Sequence, residues 1–233
     1  MATTTLVLMG RTGNGKSATA NSIIGKDVFS AGCSAGSLTK ECRLEKCTRK
    51  DGRIINMVDT PGLFDTDETL EFTQREIVKC IDLAKDGVHG VLLVVSAKKR
   101  FTPEEAETVD ILQMLFGPRI LNYMVVIFTG GDKLEKTDTS LEMFLEKAPK
   151  SLKELVRRCN SRAVLFDDKT TSLIRKEKQI IKLLEFVDSI ITNEKAPYSN
   201  QLCKKAQELA SQLPSVRERE NAYASQAELL KTM

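Results

Sequence analysis

At 233 residues the chain is long enough for one full α/β domain with an appended helical piece. Hydrophobic residues make up 41% and charged residues 29%, and 35 basic against 32 acidic side chains leave a net charge of +3, too small and too dispersed for a nucleic-acid groove. A single histidine, His89, excludes histidine triads and multi-histidine metal sites, and the six cysteines, with no C-x-x-C pair, read as free thiols in a reducing compartment.

No charged region followed by a cleavable apolar segment opens the chain, so no signal peptide is expected. Residues 4–9, TTLVLM, predict a strand that runs into a glycine-rich turn and then a helix to about residue 24. The turn is Gly10, Arg11, Thr12, Gly13, Asn14, Gly15, Lys16 and Ser17, which matches G-x-x-x-x-G-K-[ST] in its strand–turn–helix setting. Its glycines let backbone N–H groups curl around phosphate oxygens, with Ala18 continuing the wall, and the helix adds its positive dipole end. Lys16 is expected between the β- and γ-phosphates of a nucleotide, and Ser17 on Mg²⁺. A switch threonine follows, binding the metal through its hydroxyl and the γ-phosphate through its N–H. Thr39 is the choice for it, with Ser34, Ser37 and Thr48 as alternatives. Residues 39–46 are expected to pair beside a strand at 54–58, and Asp59-Thr60-Pro61-Gly62 follows that strand directly. Asp59 would reach the metal shell and the Gly62 N–H the γ-phosphate.

Residues 88–96, VHGVLLVVS, form a continuous apolar run, as for a parallel strand covered on both faces. Pro103 opens a helix with Glu104, Glu105 and Glu107 in its first turns, where the dipole favours acids. Another strand is predicted at 121–128, followed by Thr129-Gly130-Gly131-Asp132 where guanine-reading proteins carry [NT]-K-x-D. Asp132 can accept guanine N1–H and the exocyclic amine together, a contact adenine cannot make. Gly130 replaces the usual lysine along the base, and Lys133 is an expected substitute. A short strand at 163–166 leads to Asp167-Asp168-Lys169, a second wall for the base, with Asp168 the choice for the contact and Asp167 and Lys169 as alternatives. A helix over 172–192 closes the domain, with Leu173, Ile180, Leu184, Val187 and Ile191 expected on its inner face.

After Pro197 the pattern changes. Leu202, Ala206, Leu209 and Leu213 mark one amphipathic helix, and a second carries Tyr223, Ala227 and Leu230. Residues 1–195 are therefore expected as the nucleotide-binding domain and 196–233 as a helical extension, packed back on the domain or serving as an arm for partners. No apolar stretch reaches the roughly 20 residues of a membrane-spanning helix.

Three blocks carry a family resemblance: LVLMGRTGNGKSATANSIIG, SLTKEC before DTPGLFD, and DGVHGVLLVVSAKKRFTPEEAETV. Over about residues 4–195 the chain resembles the immune-associated nucleotide-binding GTPases of the avirulence-induced-gene type, relatives of septins and of chloroplast import-receptor GTPases. The resemblance implies an α/β fold, a three-layer Ras-like P-loop domain with a mostly parallel sheet, binding GTP, GDP and Mg²⁺. It also implies a cytosolic or membrane-peripheral protein whose nucleotide-bound domains pair face to face, with unidentified effectors and immune or stress signalling as the setting. The chain departs from the family at Asp167-Asp168, where an asparagine is commoner.

Leu63 stands where Ras-like enzymes carry a water-orienting glutamine, so the isolated domain is expected to hydrolyse GTP slowly. Lys16, Thr39 and Gly62 then make up the catalytic set with Arg100, which in a face-to-face dimer would reach the other copy's phosphates. Its alternatives are a solvated loop charge at Arg100 and a finger at Arg11. A near-inactive GTP-binding scaffold is the competing function, and an ATPase or small-molecule kinase a third.

Overall fold

The computed structural model of the chain describes residues 3–31, 39–62 and 70–199. Strand β1 (Thr3–Met9) lies between β3 (Ile54–Asp59) and β4 (Gly90–Ser96), both parallel to it. Beyond β4 come β5 (Met124–Thr129) and β6 (Ala163–Phe166), also parallel, and β2 (Arg43–Thr48) runs antiparallel along the outer edge of β3. The sheet order is β2-β3-β1-β4-β5-β6. The expected mostly parallel α/β fold is therefore the one formed.

Every residue of β4 and β5 is buried, as continuous Val/Leu/Ile runs covered on both faces should be. Edge strand β2 is instead mostly exposed, with Leu44 and Cys47 half-buried. Helices α1 (Lys16–Ile24), α2 (Leu70–Leu83), α3 (Pro103–Phe116), α4 (Gly131–Lys136), α5 (Leu141–Glu146), α6 (Lys150–Arg158) and α7 (Leu173–Glu194) fill the connections. His89 is structural: its Nδ1 accepts from the Thr5 N–H at 3.1 Å, and burial lowers its pKa.

Two boundaries and one buried position differ from the sequence pattern. The strand expected at 39–46 begins only at Arg43, where pairing with Asp59 starts, so Thr39 stays free of the ladder. Residues Pro118–Tyr123 form a 3₁₀ helix after Gly117, which delays β5 to Met124. Leu173, expected inside, is 80% exposed, because the first turn of α7 precedes the face formed by Ile180, Leu183, Leu184, Val187 and Ile190.

Residues 196–199 pack on the α/β unit. Tyr198 bridges to Val88, sets its ring edge-on to Tyr123 at 5.1 Å, and donates its hydroxyl to the Phe116 carbonyl. The two amphipathic helices expected beyond them, like Leu63 and the alternatives Ser34 and Ser37, lie outside the described residues. No helix among the described residues is long and apolar enough to cross a membrane.

Candidate functional site

The chain leaves β1 on one side for β3 and crosses to the other for β4, so a crevice forms outside the carboxyl ends of these strands, where open α/β sheets bind ligands. The Gly10–Ser17 segment fills it. Gly10 turns out of β1 at φ 140°, and a Cβ there would stand 2.5 Å from the Val94 carbonyl oxygen. Gly15 is left-handed at φ 98° and caps α1 without any side-chain hydrogen bond, which leaves the first N–H groups of the helix for an anion. Lys16 is 6% exposed and directs its ammonium to the carbonyls of Gly10 at 2.8 Å and Arg11 at 3.1 Å. A buried cation held by neutral carbonyl oxygens such as these keeps a strong demand for an anion.

Thr129, at the end of β5, donates to the Asn14 carbonyl at 2.7 Å and packs against Gly15. Asn14 donates its side-chain amide to Glu105 at 2.8 Å and to the Val94 carbonyl at 3.1 Å. The same Glu105 closes a capping box with Thr102 at the start of α3. Arg11 reaches the Thr102 hydroxyl at 3.5 Å, so the Gly10–Ser17 loop and the α3 N-terminus form one hydrogen-bonded unit. The T-x-x-E spacing at 102–105 is the signal that exposes this cap in the sequence.

Three metal candidates converge from separate elements. Ser17 donates to Asp59 Oδ2 at 2.6 Å, and Thr39 lies 3.0 Å from the Ser17 hydroxyl and 3.3 Å from the same carboxylate oxygen. Asp59 is fully buried, and its Oδ1 has no hydrogen-bond partner among the described residues. Burial pushes its pKa up, opposed by the Ser17 bond and the Lys16 charge. Two hydroxyls and a buried carboxylate with an unsatisfied oxygen suit a small hard cation such as Mg²⁺. The alternative Thr48 sits at the far end of β2, paired with Ile54. Thr60 anchors the turn by donating to the Leu8 carbonyl at 2.7 Å, and Gly62, buried, ends the described segment. Ala18 lies within the first turns of α1.

At the other end of the crevice Asp132 sits in the first turn of α4, paired to Lys98 at 2.7 Å, and this bond holds its pKa down. Lys133, the expected substitute along the base, instead donates to the Lys98 carbonyl at 3.3 Å. Asp168 faces α1, accepting from Ser22 at 2.8 Å and Thr19 at 3.3 Å, and burial pushes its pKa up to about 6. Both its oxygens are engaged with the helix. Arg100 is exposed, between Lys99, which reaches the Gly13 carbonyl at 3.3 Å, and the Thr102 cap. Lys98 and Lys99 are the site residues that motif reading passed over.

The AIG1 family model matches residues 4–217. Immune-associated nucleotide-binding protein 9 of Arabidopsis thaliana is 47% identical over 211 residues, which are 90% of this chain and 61% of that protein. The chain thus spans less than two thirds of the length of this curated relative. Among solved structures, Toc33 from Arabidopsis thaliana in complex with GDP and Mg²⁺ aligns with a TM-score of 0.61 at 19% identity, over 85% of this chain and 89% of that one. A second, described as "Dimerization is important for the GTPase activity of chloroplast translocon components atToc33 and psToc159", aligns at 0.64 and 21% identity, over 83% and 84%. At these identities the likeness is one of fold.

Proposed function

The chain belongs to the AIG1 family, and we propose that it binds GTP and GDP with Mg²⁺ and hydrolyses GTP slowly, as a switch whose GTP-bound form pairs with a second copy. The observation that carries this reading is the meeting of Ser17 and Thr39 at one oxygen of Asp59, whose other oxygen, Oδ1, has no hydrogen-bond partner among the described residues, within the electrostatic reach of Lys16. When bound, Mg²⁺ neutralises charge on the β- and γ-phosphate oxygens. The protein's own groups do the rest. The loop from Gly10 to Gly15 and the open end of α1 hold the phosphates, Lys16 exchanges carbonyl partners for phosphate oxygens, and Asp132 accepts the guanine edge. Thr39, unconstrained by the β2 ladder, and the Gly62 N–H respond to the γ-phosphate, which couples nucleotide state to the surface around them.

Leu63 offers no group to orient a water, so hydrolysis in the lone domain is slow and stimulation comes from Arg100 of a facing copy. The dimerisation described for atToc33 and psToc159 supports pairing in this fold. The same leucine favours a second reading, a GTP-licensed scaffold with negligible turnover. A cytosolic or membrane-peripheral location and unidentified effectors belong to either reading, and residues 1–195 and 196–233 would act as the nucleotide domain and its helical extension.

Competition binding tests the core claim. With Mg²⁺ present, GTP and GDP should displace a fluorescent guanine nucleotide while ATP competes at least about a hundredfold less well. Chelating the metal should weaken GTP binding. Equal competition by ATP would remove the guanine reading.

A further inference from the structure

The lysine missing at position 130 has a structural replacement. Gly130 is left-handed at φ 91°, and a Cβ placed there would lie 2.7 Å from Lys98 Cγ, 2.9 Å from its Cε and 3.2 Å from its Cδ. The stem of Lys98 therefore occupies the space that any side chain at 130 would need. Its ammonium ends 2.7 Å from Asp132 Oδ1. The backbone that carries it is fixed on several sides. The Ala97 N–H donates to the Thr129 carbonyl at 2.9 Å, the Lys98 N–H to Ser96 Oγ at 3.3 Å, and Lys133 Nζ to the Lys98 carbonyl at 3.3 Å. Lys99, next in the chain, ties the same loop to the Gly13 carbonyl.

We propose that Lys98 is the positioning residue for guanine selection: it supplies from the loop after β4 the lysine absent at 130, lying over Gly130 and aiming the Asp132 carboxylate at the base. A carboxylate offers about four lone-pair sites, so one bond from Lys98 at Oδ1 leaves acceptors for both guanine N1–H and the exocyclic amine. Holding one oxygen fixes the plane of the other, which is what a two-point contact requires. Glycine at 130 is then a consequence of this arrangement, since a side chain there would expel the Lys98 stem.

The inference rests on the guanine reading above, and the experiment separates the two. GDP, IDP and XDP affinities are measured for wild type, Lys98→Ala, Lys98→Met and Asp132→Asn. IDP lacks the exocyclic amine, so the GDP-to-IDP ratio reports the two-point contact, which general loosening of the fold would not change selectively. Removing the ammonium in Lys98→Ala or Lys98→Met should shrink that ratio by roughly tenfold, with GDP losing far more than IDP. Asp132→Asn should shift preference from GDP to XDP, whose altered edge suits an amide donor. If Asp132→Asn switches preference but both Lys98 variants keep the wild-type ratio, or lose GDP and IDP equally, the role of Lys98 is overturned and the guanine reading stands. If Asp132→Asn leaves GDP preferred, the reading itself fails and takes the inference with it.

Discussion

At Asp168 a carboxyl group lies against α1 with one oxygen on the Ser22 hydroxyl and the other on that of Thr19, and burial raises its pKa to about 6. A folded-state pKa above the ordinary aspartate value means that the group stabilises the fold most in acid, and that this contribution disappears as pH rises through 6. Between pH 5 and 7.5 the loss amounts to about 1 kcal/mol for this group. Asp168→Asn removes the titration while keeping the shape. In urea unfolding of nucleotide-free protein the variant should therefore gain about 1 kcal/mol on wild type when pH goes from 5 to 7.5. Parallel pH profiles for the two proteins would show that Asp168 does not carry the shift. The departure at 167–168 is visible in the sequence, but the engagement of Asp168 with α1 is not, because its partners lie 146 and 149 residues away.

The first turn of α3 shows how one element serves another. Glu105 caps its own helix through the Thr102 N–H at 3.1 Å and, with its other oxygen, accepts the Asn14 amide of the phosphate loop at 2.8 Å. Both side chains are buried, so truncating Glu105 removes a cap and leaves a buried amide with one partner fewer. Glu105→Ala should cost about 2–3 kcal/mol in denaturant unfolding, against about 1 kcal/mol for Thr102→Ala, which loses the cap and only the long 3.5 Å contact from Arg11. Glu105→Ala should also weaken nucleotide binding. Equal costs for the two variants would mean that the Asn14 contact contributes nothing. Helix-opening acids after Pro103 are legible from residue order, whereas the role of Glu105 as a residue that grips the loop depends on the β1–β4 pairing that places Gly10 beside Val94.

For the whole molecule the proposed function depends on pairing. Arg100 is exposed at the mouth of the crevice, in a loop whose flanking residues Lys99 and Thr102 already touch the phosphate loop. An arginine so placed can act on a facing copy's phosphates, and such fingers are worth about 10³–10⁵ in rate. Single-turnover GTP hydrolysis should accelerate as protein concentration rises, and Arg100→Ala should abolish the acceleration while leaving GDP affinity within about twofold, since an exposed charge contributes little to ground-state binding. A wild-type rate indifferent to concentration would leave the scaffold reading in place. Solution mass with a non-hydrolysable GTP analogue should show the dimer, and with GDP the monomer.

Residue order alone made legible the glycine-rich turn at Gly10–Ser17, the Asp59 and Asp132 motifs as candidates, and the alternation of strands and helices, because each depends on local chemistry: glycines that permit a curl, apolar runs that need covering, acids at helix starts. Tertiary structure decided what those signals could not express. It brought Thr39 to Ser17 and Asp59 by starting β2 only at Arg43, turned Leu173 outward, and put Lys98 over Gly130 in place of Lys133. The physical reason is that parallel strands bring together segments distant along the chain. Which side chain fills the gap left by a glycine is set by the neighbouring strand, and sequence spacing carries no record of that neighbour.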